Sequence, residues 1–374
     1  MLYYNALVFT PEGFRKGGFR IENERFIEVL PGCISGEGID LCANKVIPGL
    51  VDIHTHGCMG EDFSDGSITG LKTMSAYYAK RGITTFLPTS MSVPYETLSD
   101  AFSTAGKQME NRPPHCARIA GIHMEGPFFS EKKKGAQSSE FLKKPDWEAF
   151  LSLYESSGKN IRIVDIAPEL EGAGPFIEHA KEICTVSIAH TDAGYEQAVE
   201  AILAGADHVT HLFNAMPPLH HRNPGVIGAV AEREDITAEL ICDGIHVHPS
   251  VIRLAFRLFP ERICLISDSV RCCGMPDGTY ELGGQRIHKG EGVAKLDDGT
   301  LAGAASNLYD DLKNAIRFGI PEEKAIRAAS IIPAKVIGLD GAIGSVEPGK
   351  FADFIVCDEQ LNLKEVYIGG VRVP

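Results

Sequence analysis

Two histidines separated by one residue, His54 and His56, form the first group in this chain that could bind a metal ion. They end an apolar stretch that begins at Val46, and Gly57 follows them directly. Side chains on an extended strand alternate between its two faces, so both imidazoles point to the same side. Imidazole is a common ligand of divalent metals, and a glycine lets the chain turn away without crowding the site. The spacing therefore predicts part of a metal site at the end of a strand.

More side chains of this kind stand at the ends of other apolar, strand-like runs: Glu125, His190, His211 and Asp268. Each of them alone is more typical of a buried polar group that is hydrogen-bonded within a core. Their repeated occurrence at strand ends, together with the histidine pair, favours one shared site. A mixture of imidazole and carboxylate ligands suits Zn²⁺ first, with Fe²⁺, Mn²⁺ and Co²⁺ as alternatives.

Two neighbouring histidines need to be told apart from the ligands. His208 and His211 lie three residues apart, so on a strand they face opposite sides. His211 is nearer the carboxyl end of its run and precedes a polar loop, which favours it as the ligand and leaves His208 a structural role. His123 shares a face with Glu125 but lies deeper, so we expect it to be packed or to support a ligand.

The pattern around these residues predicts an α/β fold, a (β/α)8 TIM-like barrel, in which reactive groups lie at the carboxyl ends of the strands. A doubly wound open sheet is the alternative, but no GxGxxG motif follows a strand. The strand-like runs are the opening stretch and residues 83–89, 118–125, 161–167, 185–190, 208–213, 237–242 and 263–268. The helical patterns cover residues 68–81, 95–110, 147–156, 175–182, 195–204, 249–259, 307–318 and 322–337.

Both ends of the chain are rich in short strands and turns. We predict that residues 1–47 and 338–374 form one small β-sandwich domain, into which the barrel of residues 48–337 is inserted. A hairpin signal lies at residues 22–24, and a hairpin-rich insertion covers residues 278–299.

Composition excludes several classes of function. The 374 residues carry 50 acidic and 36 basic side chains and a net charge of −14, which argues against non-specific nucleic-acid binding. No apolar run approaches the roughly 18 residues of a membrane span, and the first residues do not have the pattern of a signal peptide. The ten cysteines are scattered without a CxxC pair, which predicts reduced core thiols in a cytoplasmic protein.

The order of five motifs resembles the amidohydrolase superfamily and, within it, the deacetylases of phosphorylated N-acetyl amino sugars. The likeness covers essentially the whole chain, including the closing GSVEPGKFADFIVCD at residues 344–358. HMEGPF together with HLFNAM is specific to the deacetylases, whereas HxH marks only the superfamily. Many amidohydrolases carry a carboxylated lysine on the fourth strand, and the run at 161–167 has none. The motifs are HTHG at 54–57, HMEGPF at 123–128, IAHTDA at 188–193, THLFNAM at 210–216 and SDS at 267–269.

The resemblance implies one or two divalent ions in each subunit. One would be bound by Glu125, His190 and His211. The second would use His54 and His56 with a shared Glu125, because this chain keeps both histidines that distinguish the two-metal members.

The implied reaction removes the acetyl group from N-acetylglucosamine 6-phosphate and gives glucosamine 6-phosphate and acetate. Hydroxide generated at the metal attacks the acetyl carbonyl, and Asp268 is the expected general acid and base. His246 is the expected donor to the oxyanion and a substrate contact. The galactosamine epimer is the nearest alternative substrate. A cyclic-amide hydrolase is disfavoured by the missing lysine, and a non-enzymatic metal-binding regulator would not explain Asp268 and His246.

The substrate phosphate needs fixed donors. Arg222 is the best single candidate because its planar fork suits phosphate oxygens. The resemblance also implies a homodimer, with no nucleic acid or membrane as a partner. Further substrate contacts that it implies are Ala136, Asn214, Ala215, Leu301, Ala302 and Gly303.

Overall fold

The computed structural model describes all residues, 1–374. Eight parallel strand segments follow one another in chain order and pair with their neighbours, the third being interrupted into two short pieces. Parallel bridges between Thr89 and His123 and between Thr55 and Ser269 join the remaining edges, so the strands close into a ring. Their bounds are Leu50–Thr55, Ile83–Pro88, Arg118–Ile119 with Ile122–Met124, Ile161–Ile166, Thr185–Ile188, His208–Val209, Thr237–Ile241 and Ile263–Ile266.

This strand ring is built from runs whose residues are buried on both faces. Every residue of Leu50–Thr55 and of Ile83–Pro88 is buried. Parallel strands packed inside a layer of helices are apolar on both sides, which explains their continuous runs of Val, Ile and Leu. The same burial makes each charged residue inside the ring dependent on a partner.

Helices cover the outside of the ring. The segment 322–337, predicted as one helix, is two, because Pro333 has no N–H to continue the hydrogen bonding of a single helix. Gly225–Ala231 was not predicted, because its seven residues include two glycines and show no helical period. The helices are Ile68–Lys80, Tyr95–Glu110, Trp147–Ser156, Ala173–Ala180, Tyr195–Ala204, Gly225–Ala231, Pro249–Leu258, Leu308–Arg317, Glu322–Ala328 and Ile331–Val336, with 3₁₀ turns at Phe63–Asp65, Glu131–Lys133 and Ser139–Phe141.

Strands from the two ends of the chain share a second sheet. Lys45–Pro48 pairs with both Leu2–Thr10 and Phe354–Cys357, so this sheet joins the start of the chain to its end. Tyr3, Phe19, Phe26 and Phe354 pack in a core of its own. The predicted hairpin at 22–24 is present. The strands are Leu2–Thr10, Gly13–Glu22, Arg25–Pro31, Ile39–Asp40, Lys45–Pro48, Phe354–Cys357, Leu363–Ile368 and Val371–Arg372.

Gly49 alone separates this sheet from the first strand of the ring. A Cβ atom at this position would lie 2.2 Å from Oγ1 of Thr84, so the side chain of Thr84 packs against the backbone here and leaves room only for glycine. The connection between the end sheet and the ring is therefore tightly packed just before His54 and His56.

The predicted insertion forms a four-stranded antiparallel sheet, and a short hairpin joins Gly57–Cys58 to Glu61–Asp62. The last strand of the insertion touches the ring, because Ala304 bridges to Ser269. Gln285 donates a hydrogen bond from its side chain to the backbone oxygen of Ala136, which ties the insertion to the loop after the third strand. The strands are Gly278–Leu282, Gln285–Gly290, Val293–Leu296 and Leu301–Ala304.

All ten cysteines are free thiols. The prediction of core thiols is wrong for Cys33 and Cys42, which are exposed because they lie in the connections between strands rather than in the strands themselves. None of the helices combines the length and the apolar character that crossing a bilayer requires.

Candidate active site

Glu125, His190 and His211 converge at one end of the strand ring. Nε2 of His190 and Nε2 of His211 are 3.1 Å apart, and they lie 3.1 and 3.2 Å from Oε1 of Glu125. A tetrahedral site with bonds of about 2.0 Å needs ligand atoms about 3.3 Å apart. These three atoms therefore have nearly the separations that one Zn²⁺-sized ion requires.

A second group lies beside the first. Nε2 of His54 is 3.3 Å from Nε2 of His56, as their spacing in the sequence predicts. Oδ1 of Asp268 lies 3.5 Å from the first imidazole and 3.2 Å from the second. Glu125 reaches this group as well, since its two oxygens each lie 3.5 Å from one of these imidazoles. Asp268 and Glu125 are thus both within reach of a second ion.

Hydrogen bonds to the other ring nitrogens orient these imidazoles. Nδ1 of His56 lies 3.1 Å from the backbone oxygen of Thr89, and Nδ1 of His190 lies 2.9 Å from that of Lys133. A carbonyl oxygen can only accept, so Nδ1 carries the hydrogen in both rings. The Nε2 lone pairs are then free for a metal ion, which is the usual arrangement of histidine ligands.

The backbone at these strand ends is strained. His190, His211 and Asp268 have φ angles of 44°, 30° and 48°. Residues other than glycine rarely adopt positive φ, and such conformations cost on the order of 1–3 kcal/mol and concentrate at functional sites. The surrounding hydrogen bonds therefore hold these three side chains in positions that an unconstrained loop would leave.

Asp268 and Glu125 are held as carboxylates. Burial on its own would raise the pKa of Asp268, but the hydrogen bond with His56 and the proximity of His54 outweigh it, so that the pKa is lowered. Burial is likewise outweighed at Glu125, where His190 and His211 hold the pKa well below its usual range. Both groups are therefore ready to bind a cation or to accept a proton.

Three buried carboxylates below the metal-competent groups were not anticipated from the sequence: Asp52, Asp165 and Glu239. Oε2 of Glu239 lies 2.8 Å from Nδ1 of His54. Asp165 accepts from Nε2 of His123 at 2.9 Å and, although burial disfavours the imidazolium, raises the pKa of His123 to about 10. A charged residue within an otherwise apolar strand was the signal that could have revealed them.

His123 and His208 have the roles predicted for them in the packing of the ring. His123 is fully buried between Asp165 and the backbone oxygen of Ile53. His208 is also fully buried and contacts Thr237 and Glu239 rather than the two groups of metal-competent atoms.

Gln137 is a further site residue that sequence reasoning did not single out. It donates from Nε2 to Oε2 of Glu125 at 2.6 Å and accepts from the backbone N–H of Ser92 at 2.7 Å. It therefore fixes the carboxylate of Glu125 so that Oε1 faces His190 and His211.

The two groups open into a pocket of about 260 Å³. Two of the predicted substrate contacts do not line it. Ala302 is buried between Leu301 and Gly303, on the opposite face of their strand, as alternation requires. Arg222 lies in an exposed loop and borders a separate hollow, so it does not reach the pocket of its own chain. The predicted residues that do line it are His56, Glu125, Ala136, His190, His211, Asn214, Ala215, His246, Asp268, Leu301 and Gly303.

His246 faces the pocket from the loop after the seventh strand. Its Nδ1 lies 2.7 Å from Oδ2 of Asp243, and its backbone N–H donates to Oδ1 of the same residue at 2.9 Å. Burial favours the neutral carboxyl of Asp243, but His246 outweighs that effect and lowers the pKa. The carboxylate therefore anchors the imidazole on the side away from the pocket.

Residues 45–373 match the model of the amidohydrolase family. The chain belongs to this family. Among other amidohydrolases, it is 39% identical over 316 residues to the N-acetylglucosamine-6-phosphate deacetylase of Bacillus subtilis, covering 83% of this chain and 80% of that protein. It is 34% identical over 346 residues to the N-acetylgalactosamine-6-phosphate deacetylase of Escherichia coli O157:H7, covering 92% and 90%.

The fold of one solved structure matches that of this amidohydrolase over the whole chain. It is a mutant N-acetyl-D-glucosamine-6-phosphate deacetylase from Mycobacterium smegmatis in complex with N-acetyl-D-glucosamine-6-phosphate. The two folds superpose with a TM-score of 0.94 at 32% identity, covering 100% of this chain and 99% of that one. The resemblance inferred from the motifs is thereby confirmed.

Replacing His54 and His56 together by alanine is expected to lower the number of bound metal ions per chain. The change removes two of the atoms that surround the second position but leaves Glu125, His190 and His211 in place. Metal content measured by mass spectrometry on purified protein checks the result. His248→Ala, which removes an exposed histidine outside the pocket, is the control. An unchanged metal count in the double variant would show that the pair does not bind metal.

Proposed function

We propose that this protein hydrolyses the acetamide of N-acetylglucosamine 6-phosphate and releases glucosamine 6-phosphate and acetate. The observation that carries the proposal is the Glu125–His190–His211 group, which opens into the same pocket as Asp268 and His246. The family and the relatives named as deacetylases of this substrate support the same reaction.

The donor atoms fit one or two divalent ions, and we propose Zn²⁺ before Fe²⁺, Mn²⁺ or Co²⁺. Glu125, His190 and His211 would hold the first, and His54 and His56 with Glu125 the second. A bound ion would act as a Lewis acid on the acetyl carbonyl and activate water near neutral pH. The remaining steps fall to the side chains of the chain itself.

Asp268 is the proposed proton carrier. Its carboxylate accepts the proton of the attacking water and then delivers it to the sugar nitrogen, because an amine leaves poorly unless it is protonated. His246 is the proposed donor to the carbonyl oxygen. Asp243 holds the Nδ1 side of the ring, and a proton on Nε2 can then be donated to the negative charge that develops there.

The pocket residues named from the resemblance are proposed to orient the sugar. Asn214, Ala215, Ala136, Leu301 and Gly303 all line the pocket. Ala302 would act by holding its two neighbours in place. Arg222 remains a proposal that rests on phosphate chemistry alone.

The galactosamine epimer is the second candidate substrate, because the relative from Escherichia coli carries that specificity in its name. Parallel assays with N-acetylglucosamine 6-phosphate, N-acetylgalactosamine 6-phosphate and unphosphorylated N-acetylglucosamine separate the possibilities. We expect the highest kcat/KM for the first and at least about a tenfold loss without the phosphate, since one charged contact contributes about 1.5–3 kcal/mol. Equal rates for all three would refute the assignment of a phosphorylated substrate.

We also propose that the strand ring is a (β/α)8 barrel and that the sheet from both chain ends is a small β-sandwich domain. The domains would comprise residues 48–337 and residues 1–47 with 338–374. The separate aromatic core around Phe354 supports this division. The free cysteines support a cytoplasmic location. The resemblance supports a homodimer.

A further inference from the structure

Glu239 is buried inside the strand ring and contacts a residue from each of the two groups of metal-competent side chains. It stands at the centre of the strand Thr237–Ile241, and no part of it is exposed. Its Oε2 lies 2.8 Å from Nδ1 of His54 and accepts the backbone N–H of His211 at 3.2 Å. Its Oε1 lies 3.3 Å from Nε2 of His208. One carboxylate therefore contacts a side chain of the second group and the backbone of the first.

The contact with His54 determines which ring nitrogen is available. Oε2 of Glu239 lies 2.8 Å from Nδ1 of His54 and already accepts the backbone N–H of His211. A carboxylate only accepts, and Nδ1 of His54 must therefore carry the hydrogen. The lone pair is then on Nε2, which faces His56 at 3.3 Å. The opposite tautomer would place a hydrogen where the ion has to bind.

The contact with His211 supports a strained backbone. His211 has a φ of 30°, and the N–H of this residue points to Glu239. The backbone oxygen of Glu239 also accepts from the N–H of Leu212 at 2.9 Å. Glu239 thus holds the turn from which one ligand of the first group projects.

Glu239 could instead be a metal ligand itself, since its carboxylate lies close to ring nitrogens of His54 and His123. The environment of His123 argues against that reading. Its Nδ1 lies 2.9 Å from the backbone oxygen of Ile53 and its Nε2 lies 2.9 Å from Asp165. Both nitrogens face acceptors and have no lone pair to offer, so this deep cluster is a hydrogen-bond network.

We propose that Glu239 is a positioning residue that determines whether a second ion binds at His54 and His56. The inference rests on the proposed metal-dependent function. It assigns the choice between one and two ions to a carboxylate that lies 185 residues from the histidine that it orients.

The test is a titration of metal-free protein with Co²⁺, without substrate, followed by equilibrium dialysis and visible absorption. In Glu239→Gln the shape is kept but the charge is lost. We expect the second ion to bind about 10- to 100-fold more weakly, as is typical when a partner of a ligating histidine is removed. The first ion should keep its affinity within about threefold, because the amide oxygen of the glutamine can still accept the backbone N–H of His211. One set of absorption bands should therefore be lost while the other remains.

A double-mutant cycle separates positioning from a general structural effect. Adding Glu239→Gln to His54→Ala should change metal binding no further, because the side chain through which Glu239 acts is already absent. His208→Gln, which perturbs the other oxygen of the same carboxylate, should keep two ions. If Glu239→Gln does not fold, Glu239→Asp keeps the buried charge but withdraws it from His54, and selective loss of the second ion is again expected.

Two ions bound with wild-type affinity in Glu239→Gln, or in the folded Glu239→Asp, would overturn the inference while leaving the proposed function intact. Equal weakening of both ions in a folded variant would also overturn it. Wild-type protein that binds no ion at all would instead refute the metal-dependent function on which the inference rests.

Discussion

Replacing Asp268 by asparagine is expected to lower kcat by about 10²- to 10⁴-fold, the usual contribution of a general acid or base. Asparagine has nearly the same shape, but it cannot accept a proton from water or pass one to the sugar amine. KM should change much less, because the residues proposed to orient the sugar are untouched. Steady-state kinetics with N-acetylglucosamine 6-phosphate, together with metal analysis of the same sample, check the result.

The metal analysis matters because Oδ1 of Asp268 lies 3.2 Å from His56 and could also contact a second ion. A variant that keeps its metal and loses turnover supports the role in proton transfer. Asp62→Asn is the matched control, since Asp62 is a buried carboxylate near His56 that does not line the pocket. It should change kcat by less than about tenfold. Wild-type turnover in Asp268→Asn would disprove the assignment.

The convergence of the metal-competent residues could be predicted because it depends on local rules. Alternation along a strand puts His54 and His56 on one face, and carboxyl ends of parallel strands meet at one end of the ring. Glu125 and His190 therefore needed only to be recognised as the last residues of apolar runs, and His211 as the histidine nearer the carboxyl end of its run. The structure brings their ligand atoms within 3.2 Å of one another.

The supporting residues could not be predicted in the same way, because their partners are distant in sequence. The contact between Glu239 and His54 depends on closure of the ring, which leaves only the strand Ile263–Ile266 between Thr237–Ile241 and Leu50–Thr55. The positive φ angles of His190 and His211 also leave no mark in residue type, since histidine is not a residue that this conformation selects. Arg222 was selected for the chemistry of its side chain alone, and that chemistry does not indicate where the loop that carries it lies.

The division between ring and end sheet followed from the change of pattern near residue 46. The boundary itself is finer than composition can resolve, because only Gly49 separates Lys45–Pro48 from Leu50–Thr55. That short connection places the terminal sheet next to the strand that carries His54. Because Thr84 packs against Gly49, a larger residue at this position would clash just before the strand that presents His54.

Replacing Glu125 by glutamine is expected to abolish measurable turnover, with a loss of about 10³-fold or more. Glu125 is the one side chain within 3.5 Å of imidazoles from both groups. The amide keeps the volume but removes the negative charge that offsets a divalent ion, and a Lewis acid contributes several kcal/mol to transition-state stabilisation. Metal content should fall together with activity, in contrast to Asp268→Asn.

Gln137→Leu provides the comparison, because it removes the hydrogen bond to Oε2 of Glu125 but keeps the carboxylate. Its metal affinity should fall by about 10- to 100-fold, so that added metal restores much of its activity, whereas Glu125→Gln should not recover. The ring should remain folded in both, since the change lies at the ends of the strands and circular dichroism can verify it. Full metal content and turnover in Glu125→Gln would mean that the two imidazole groups do not share this carboxylate and that the ion binds elsewhere.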